Sequence, residues 1–174
     1  MALRQIFLDT ETTGLSPANG DRIVEIAAIE AVEGHLTGRH FHTYLNPDCL
    51  INPHAQRVHG LTIEFLRDKP RFHEISQSFC AFVLGSECLI HNAPFDTKFI
   101  NAEMEAMGSA QRLSQLASIV CTLSLAKTLF PGQKASLDDL LHRAGNTKTR
   151  GKHSALEDTR LLSEVYFKLL RKRT

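Results

Sequence analysis

A chain of 174 residues that is 43% hydrophobic and 22% charged has the composition of a globular protein, which excludes a disordered or low-complexity polypeptide. That length predicts a single domain, residues 1–174, able to bury most of its apolar surface. Lys and Arg number 20 against 19 Asp and Glu, a formal charge of +1, which excludes tight nucleic-acid binding by bulk charge but suits an acidic centre ringed by basic loops.

Arg4 to Thr12 alternates and runs into a Thr-Gly-Leu-Ser-Pro turn, the pattern of a strand. Arg22 to Val32, rich in Ile and Val, predicts a second strand, and Phe41 to Leu45 a third, closed by Asn46-Pro47. The three form an antiparallel meander. The period then changes. Ile75, Phe79, Phe82 and Val83 recur at helical spacing, Cys88 to His91 reads as a short buried strand, and Phe95, Phe99 and Ala102 begin another helix. Gln115 to Cys121 is expected as a fifth strand, followed by a short helix over Leu123 to Phe130 that Pro131-Gly132 stops. Ser136-Leu-Asp-Asp139 has the form of a capping box opening a helix that ends near Gly145, and a last helix is expected over about Ala155 to Lys172. Antiparallel strands followed by alternating units predict an α/β protein: a mixed five-stranded sheet with helices on both faces. Ligands in such sheets collect at strand ends and helix starts.

Cys49, Cys80, Cys88 and Cys121 show no Cys-x-x-Cys spacing and are expected to be free thiols in a reducing, cytoplasmic setting. Nowhere do 18 apolar residues run together, so no membrane span is expected. Met1 leads directly into Ile6-Phe7-Leu8, which leaves no room for a secretory leader.

Acidic residues fall at the ends of the predicted elements. Asp9 and Glu11 are two apart on a strand, so both side chains point to one face and can converge on one cation. They directly follow an apolar core segment; a solvated strand edge is the structural alternative. Asp96 lies in the first turn of a helix, where the helix dipole alone would favour it. Asn92 and Pro94 before it read as a capping residue and an initial helical proline. Asp158 shares a helical stripe with Leu162, Val165 and Leu169, on the face that should be buried, and needs an arginine or a metal ion as partner. His153 stands five residues earlier, after the basic loop Lys148-Thr-Arg150-Gly-Lys152. Gly151 would let that loop bend, and its cations would attract a phosphate backbone or simply be solvated. His59 could bring an imidazole to a phosphate or be an ordinary turn residue. Four carboxylates gathered together repel each other and lose hydration, which a pair of divalent cations offsets; two such ions can hold the attacking and leaving oxygens of a phosphodiester displacement. A histidine among them suggests a base for the attacking water.

Four ordered segments carry a family resemblance: Phe7-Leu8-Asp9-Thr10-Glu11-Thr12-Thr13-Gly14, Val58-His59-Gly60, His91-Asn92-Ala93-Pro94-Phe95-Asp96 and His153-Ser-Ala-Leu-Glu-Asp158. They resemble the successive motifs of the DEDDh 3′-to-5′ exonucleases, in particular the epsilon proofreading subunits of bacterial DNA polymerase III. Leu36-Thr37-Gly38, Phe41 to Pro47 and Phe130-Pro131-Gly132 extend the likeness over nearly the whole chain. The resemblance implies a ribonuclease H-like fold and two Mg2+ or Mn2+ ions, one held by Asp9, Glu11 and Asp158 and the other by Asp9 and Asp96. It makes His153 the acceptor of the water's proton. It places His59 by the terminal nucleotide, main-chain groups of Thr10, Thr12 and Thr13 by its sugar, and Asn92 among the substrate contacts.

Two departures stand out. The family usually has a glutamate after the proline preceding the Val-His-Gly motif, and here that residue is His54. Epsilon subunits also continue into a tail that binds the polymerase, whereas this chain stops at Thr174, as expected of an isolated domain or a stand-alone relative. The expected activity is release of 5′-mononucleotides from single-stranded or frayed DNA 3′ ends, as editing for the catalytic subunit of a replicative polymerase, with no membrane partner. Its rivals are an RNA-directed exonuclease of the same superfamily, such as an oligoribonuclease or a tRNA-trimming enzyme, and a non-catalytic replication module.

Overall fold

The computed structural model describes residues 3–146 and 151–171. Five strands, β1 (Arg4–Thr12), β2 (Ile23–Val32), β3 (His35–Tyr44), β4 (Glu87–Ile90) and β5 (Ser118–Cys121), form one sheet in the order β3-β2-β1-β4-β5. β1, β2 and β3 are antiparallel neighbours, while β4 and β5 add in parallel beside β1. The helices are α1 (Pro53–His59), α2 (Ile63–Leu66), α3 (Phe72–Val83), α4 (Ala93–Ala106), α5 (Leu113–Leu116), α6 (Thr122–Leu129), α7 (Leu137–Arg143) and α8 (Ala155–Val165). This is the mixed five-stranded α/β sheet that the sequence predicts.

Strand alternation divides the interior in two. Ile6 and Leu8 of β1 join Ile26 and Ala28 of β2 and pack with Phe79 of α3, Phe99 of α4 and Leu113 of α5. Phe7, from the opposite face, packs with Ile29, Leu89, Ala126 of α6, Leu140 of α7, and Leu162 and Val165 of α8. Burying a large apolar side chain stabilises the fold by about 1.5–3 kcal/mol, and β1 contributes to both cores. Asp9 and Glu11 therefore share the α8 face with Phe7, while Thr10 shares the α4 face with Leu8.

Three boundaries differ from expectation. β3 begins at His35, because Glu33 and Gly34 both take positive φ, 52° and 83°, and make a two-residue hairpin turn. His35 to His40 are exposed on an edge strand, which erases the apolar alternation. The expected strand from Gln115 is first a helical turn: the main-chain N–H of Arg112 donates to Gln115 Oε1, and that of Leu113 donates to Asn101. The last helix passes at Tyr166 into a π-turn reaching Leu170. That turn adds a residue to the repeat, so Leu170 takes the buried place expected of Leu169. Lys172, the expected end of that helix, lies outside the described residues.

The cysteines are free thiols. Among the described residues no helix is long and apolar enough to cross a membrane.

Candidate metal and nucleotide site

The end of β1 lies between the starts of α4 and α8. On the α8 side, Asp9 faces Ala27 across the sheet, where a small residue leaves room, and Glu11 faces Glu25. Asp158, in the first turn of α8, is buried. His153 Nδ1 stands 3.5 Å from Asp158 Oδ2. The main-chain N–H of His153 donates to the Val58 carbonyl at 3.0 Å, which ties the approach to α8 onto α1. Glu11, His153 and Asp158 each offer a ligand atom within 4.8 Å of the others.

Asp96 reaches the same place from the other layer. It is 3% exposed and accepts from both the main-chain N–H and the hydroxyl of Thr10. Asn92 before it takes φ 65° and makes no side-chain cap bond, so its chain-turning role comes from the backbone. Burial pushes the Asp96 carboxyl up to about 7, against the lowering effect of the Thr10 bonds. Asp9 is raised well above the ordinary carboxylate range, first by burial and then by repulsion from Asp96, Glu11, Asp158 and Glu25. Carboxylates held where they resist ionisation are the condition that a divalent cation relieves, and hard oxygen donors suit such an ion. The residues present therefore fit a divalent metal.

Two cavities flank these acids. One of about 330 Å3 is lined by Thr10, Glu11, Thr12, Leu15, His59 and Phe95, with His54 and Ala55 at α1. In it, His59 Nδ1 accepts the N–H of Leu61 at 3.0 Å, so the neutral ring carries its proton on Nε2. Burial lowers the pKa of His59 and favours that neutral form. The other, about 570 Å3, is bordered by Asp9, His153 and Asp158 together with His91, Lys127 and Lys134.

Thr13 closes the turn after β1. It is fully buried, its N–H donates to Arg22 and its carbonyl accepts from Asn52, so both main-chain groups serve the turn. Gly60, at the end of α1, takes a left-handed backbone with φ 75°, and an added Cβ there would meet the Lys152 side chain. Lys148 and Arg150 lie outside the described residues. Glu25, Lys127 and Lys134 escaped the sequence reading. Only Glu25 left a signal, as the lone charge within Ile23-Val24-Glu25-Ile26-Ala27-Ala28.

Comparison with known proteins identifies the family. Residues 6–166 match the family RNase_T, described as Exonuclease. The DNA polymerase III subunit epsilon of Rickettsia felis is 49% identical over 170 residues, covering 97% of this chain and 74% of that protein. Among solved structures, exonuclease X in complex with 5′-overhanging duplex DNA superposes with a TM-score of 0.72 at 26% identity, covering 94% of this chain and 89% of that one. Escherichia coli exonuclease I in complex with a dA16 oligonucleotide shares the fold with a TM-score of 0.82 at 20% identity, over 98% of this chain and 41% of that one.

Proposed function

Because the chain belongs to the exonuclease family, we propose that its 174 residues act as one exonuclease domain that releases 5′-mononucleotides from the 3′ ends of single-stranded or frayed DNA. The epsilon relatives support editing for a replicative polymerase, with the polymerase catalytic subunit as partner. The observation that carries the reading is the gathering of Asp9, Glu11, Asp96 and Asp158 from β1, α4 and α8, with His153 beside them.

In this reading Asp9, Glu11 and Asp158 hold one Mg2+ or Mn2+ ion and Asp9 and Asp96 a second. When bound, such ions neutralise phosphate charge and make water a better nucleophile. The protein does the rest. His153 takes a proton from the attacking water, whose oxygen joins phosphorus as the bond from phosphorus to the O3′ of the preceding nucleotide breaks. That O3′ takes a proton from solvent, leaving a 5′-mononucleotide and a strand shortened by one residue. The neutral His59 offers its Nε2–H to the terminal nucleotide, Phe95 and Leu15 give the base an apolar wall, and the Thr10 to Thr12 backbone meets the sugar. Lys127 and Lys134 attract the phosphate backbone toward the larger cavity. A cavity that admits only an unpaired end favours mismatches, which cost less to fray, without reading sequence.

The test is release of labelled mononucleotide from matched DNA and RNA oligomers with Mg2+, with Mn2+ and with a chelator. Metal-dependent release from DNA is expected. Equal or faster release from RNA would replace DNA as the substrate, and release unaffected by chelator would end the metal assignment.

A further inference from the structure

Glu25 sits on β2 directly opposite Glu11, on the face that carries Asp9, and is 1% exposed. A buried carboxylate beside other acids is costly unless it is used. Its oxygens are fully engaged: Oε1 accepts from Ser154 Oγ at 3.0 Å and lies 2.9 Å from His42 Nε2, and Oε2 accepts from the main-chain N–H of Ala155 at 3.1 Å. Ser154 is the N-cap of α8, yet its side chain makes no capping bond. Glu25 takes over that task from 129 or 130 positions away, satisfying a helix-terminal N–H and placing negative charge at the positive end of the helix dipole.

His153 and Asp158 lie on either side of this anchor. One precedes Ser154 directly, and the other stands within the first turn beyond it. The geometry points to Glu25 as a positioning residue for phosphodiester cleavage: its carboxylate fixes the start of α8 against β2 and so sets where His153 and Asp158 stand relative to Glu11 and Asp9. This rests on the exonuclease reading above. His42 braces Glu25 from β3 and is itself packed edge-on against Tyr44, with ring centroids 5.1 Å apart. Because Glu11 and Glu25 are register partners, displacement of the anchor is felt at the reacting groups, where a 1 Å error costs about 10²-fold in rate.

Glu25→Ala removes every contact, whereas Glu25→Gln keeps the volume and one acceptor oxygen. Steady-state nucleotide release from a single-stranded 3′-labelled DNA should show kcat lowered by about 10²-fold in Glu25→Ala, with KM changed less than about threefold. Glu25→Gln should recover about tenfold of that loss. Independently of activity, hydrogen exchange of the metal-free protein should show the Ala155 amide losing protection in Glu25→Ala while Ile26 and Ala28 keep theirs. If the parent itself releases no nucleotide, the exonuclease reading fails, and the exchange comparison still decides whether Glu25 anchors α8. Parental kcat in Glu25→Ala, an unchanged Ala155 amide, or a rise in KM with kcat intact would overturn the proposal. Should Glu25→Ala fail to fold, Glu25→Gln carries the same two measurements, with a kcat loss of about tenfold expected and none overturning.

Discussion

Thr10 donates both its main-chain N–H and its hydroxyl to Oδ1 of Asp96, at 3.1 and 2.7 Å. The pair links β1 to α4 and holds the Asp96 carboxyl down against a burial effect that still leaves it near 7. Asp9 and Glu11 point to the other face, so this link is what brings the α4 acid to the end of the strand.

Thr10→Val keeps the shape and the main-chain bond but loses the hydroxyl. A hydrogen bond to a charged group contributes about 1.5–3 kcal/mol, so the Asp96 carboxyl moves further up. The acidic limb of the pH–rate profile, measured at subsaturating Mg2+, should shift upward by about one unit. An unmoved limb would show that Asp96 does not govern it.

Stability of the metal-free protein should fall as pH rises. Asp9 and Asp96 have raised carboxyls, so the folded chain holds protons that the unfolded chain has released. Between the ordinary value of 3.8 and about 7 for Asp96, each step up in pH therefore favours unfolding. Carboxylates held low by partners, Glu30 with Arg4 among them, work in the opposite direction only as pH falls below the ordinary range, and the buried His59, lowered from 6.5, opposes the trend below that value without outweighing two raised carboxyls. In chelator, Tm should be higher at pH 5.5 than at pH 8, and Mn2+ should raise Tm more at pH 8 than at pH 5.5. Calorimetry at the two values with and without metal settles the sign.

Asp9→Asn separates activity from stability. Nucleotide release should drop at least about 10²-fold, the order of loss for one preorganised charge-stabilising group. The metal-free protein at pH 8 should be at least as stable as the parent, because the substitution removes the repulsion from Asp96, Glu11 and Asp158. A clear fall in metal-free Tm at that pH would mean that Asp9 has a structural task.

His54 sits exposed at the mouth of the smaller cavity, its main-chain N–H donating to Asn52 Oδ1. His54→Glu restores the residue usual in the resembling family. It should change KM for single-stranded DNA by about three- to tenfold and leave kcat within twofold, as expected of a contact made equally in ground and transition states. An effect confined to kcat would place His54 among the reacting groups instead.

Much of this architecture was legible because it is written locally. The alternation of Arg4 to Thr12 marks a strand, the Ser136 to Asp139 spacing marks a helix start, and the structure bears out both. Asp158 was legible because a carboxylate on an apolar stripe demands a partner. The edge strand from His35 was not, since exposed polar residues carry no two-residue period, and neither was the π-turn, which leaves composition unchanged. Glu25 was missed for another reason. Its partners Ser154 and Ala155 are far away in sequence, and only the fold shows that they meet.

The acids arrive from opposite sides of the sheet: Asp96 with the α4 layer, Asp158 and His153 with the α8 layer, and Asp9 and Glu11 on the strand between. No half of the chain carries a complete cutting edge. The pocket is therefore a product of the assembled sheet, and a chain lacking either layer would lack one of its acids.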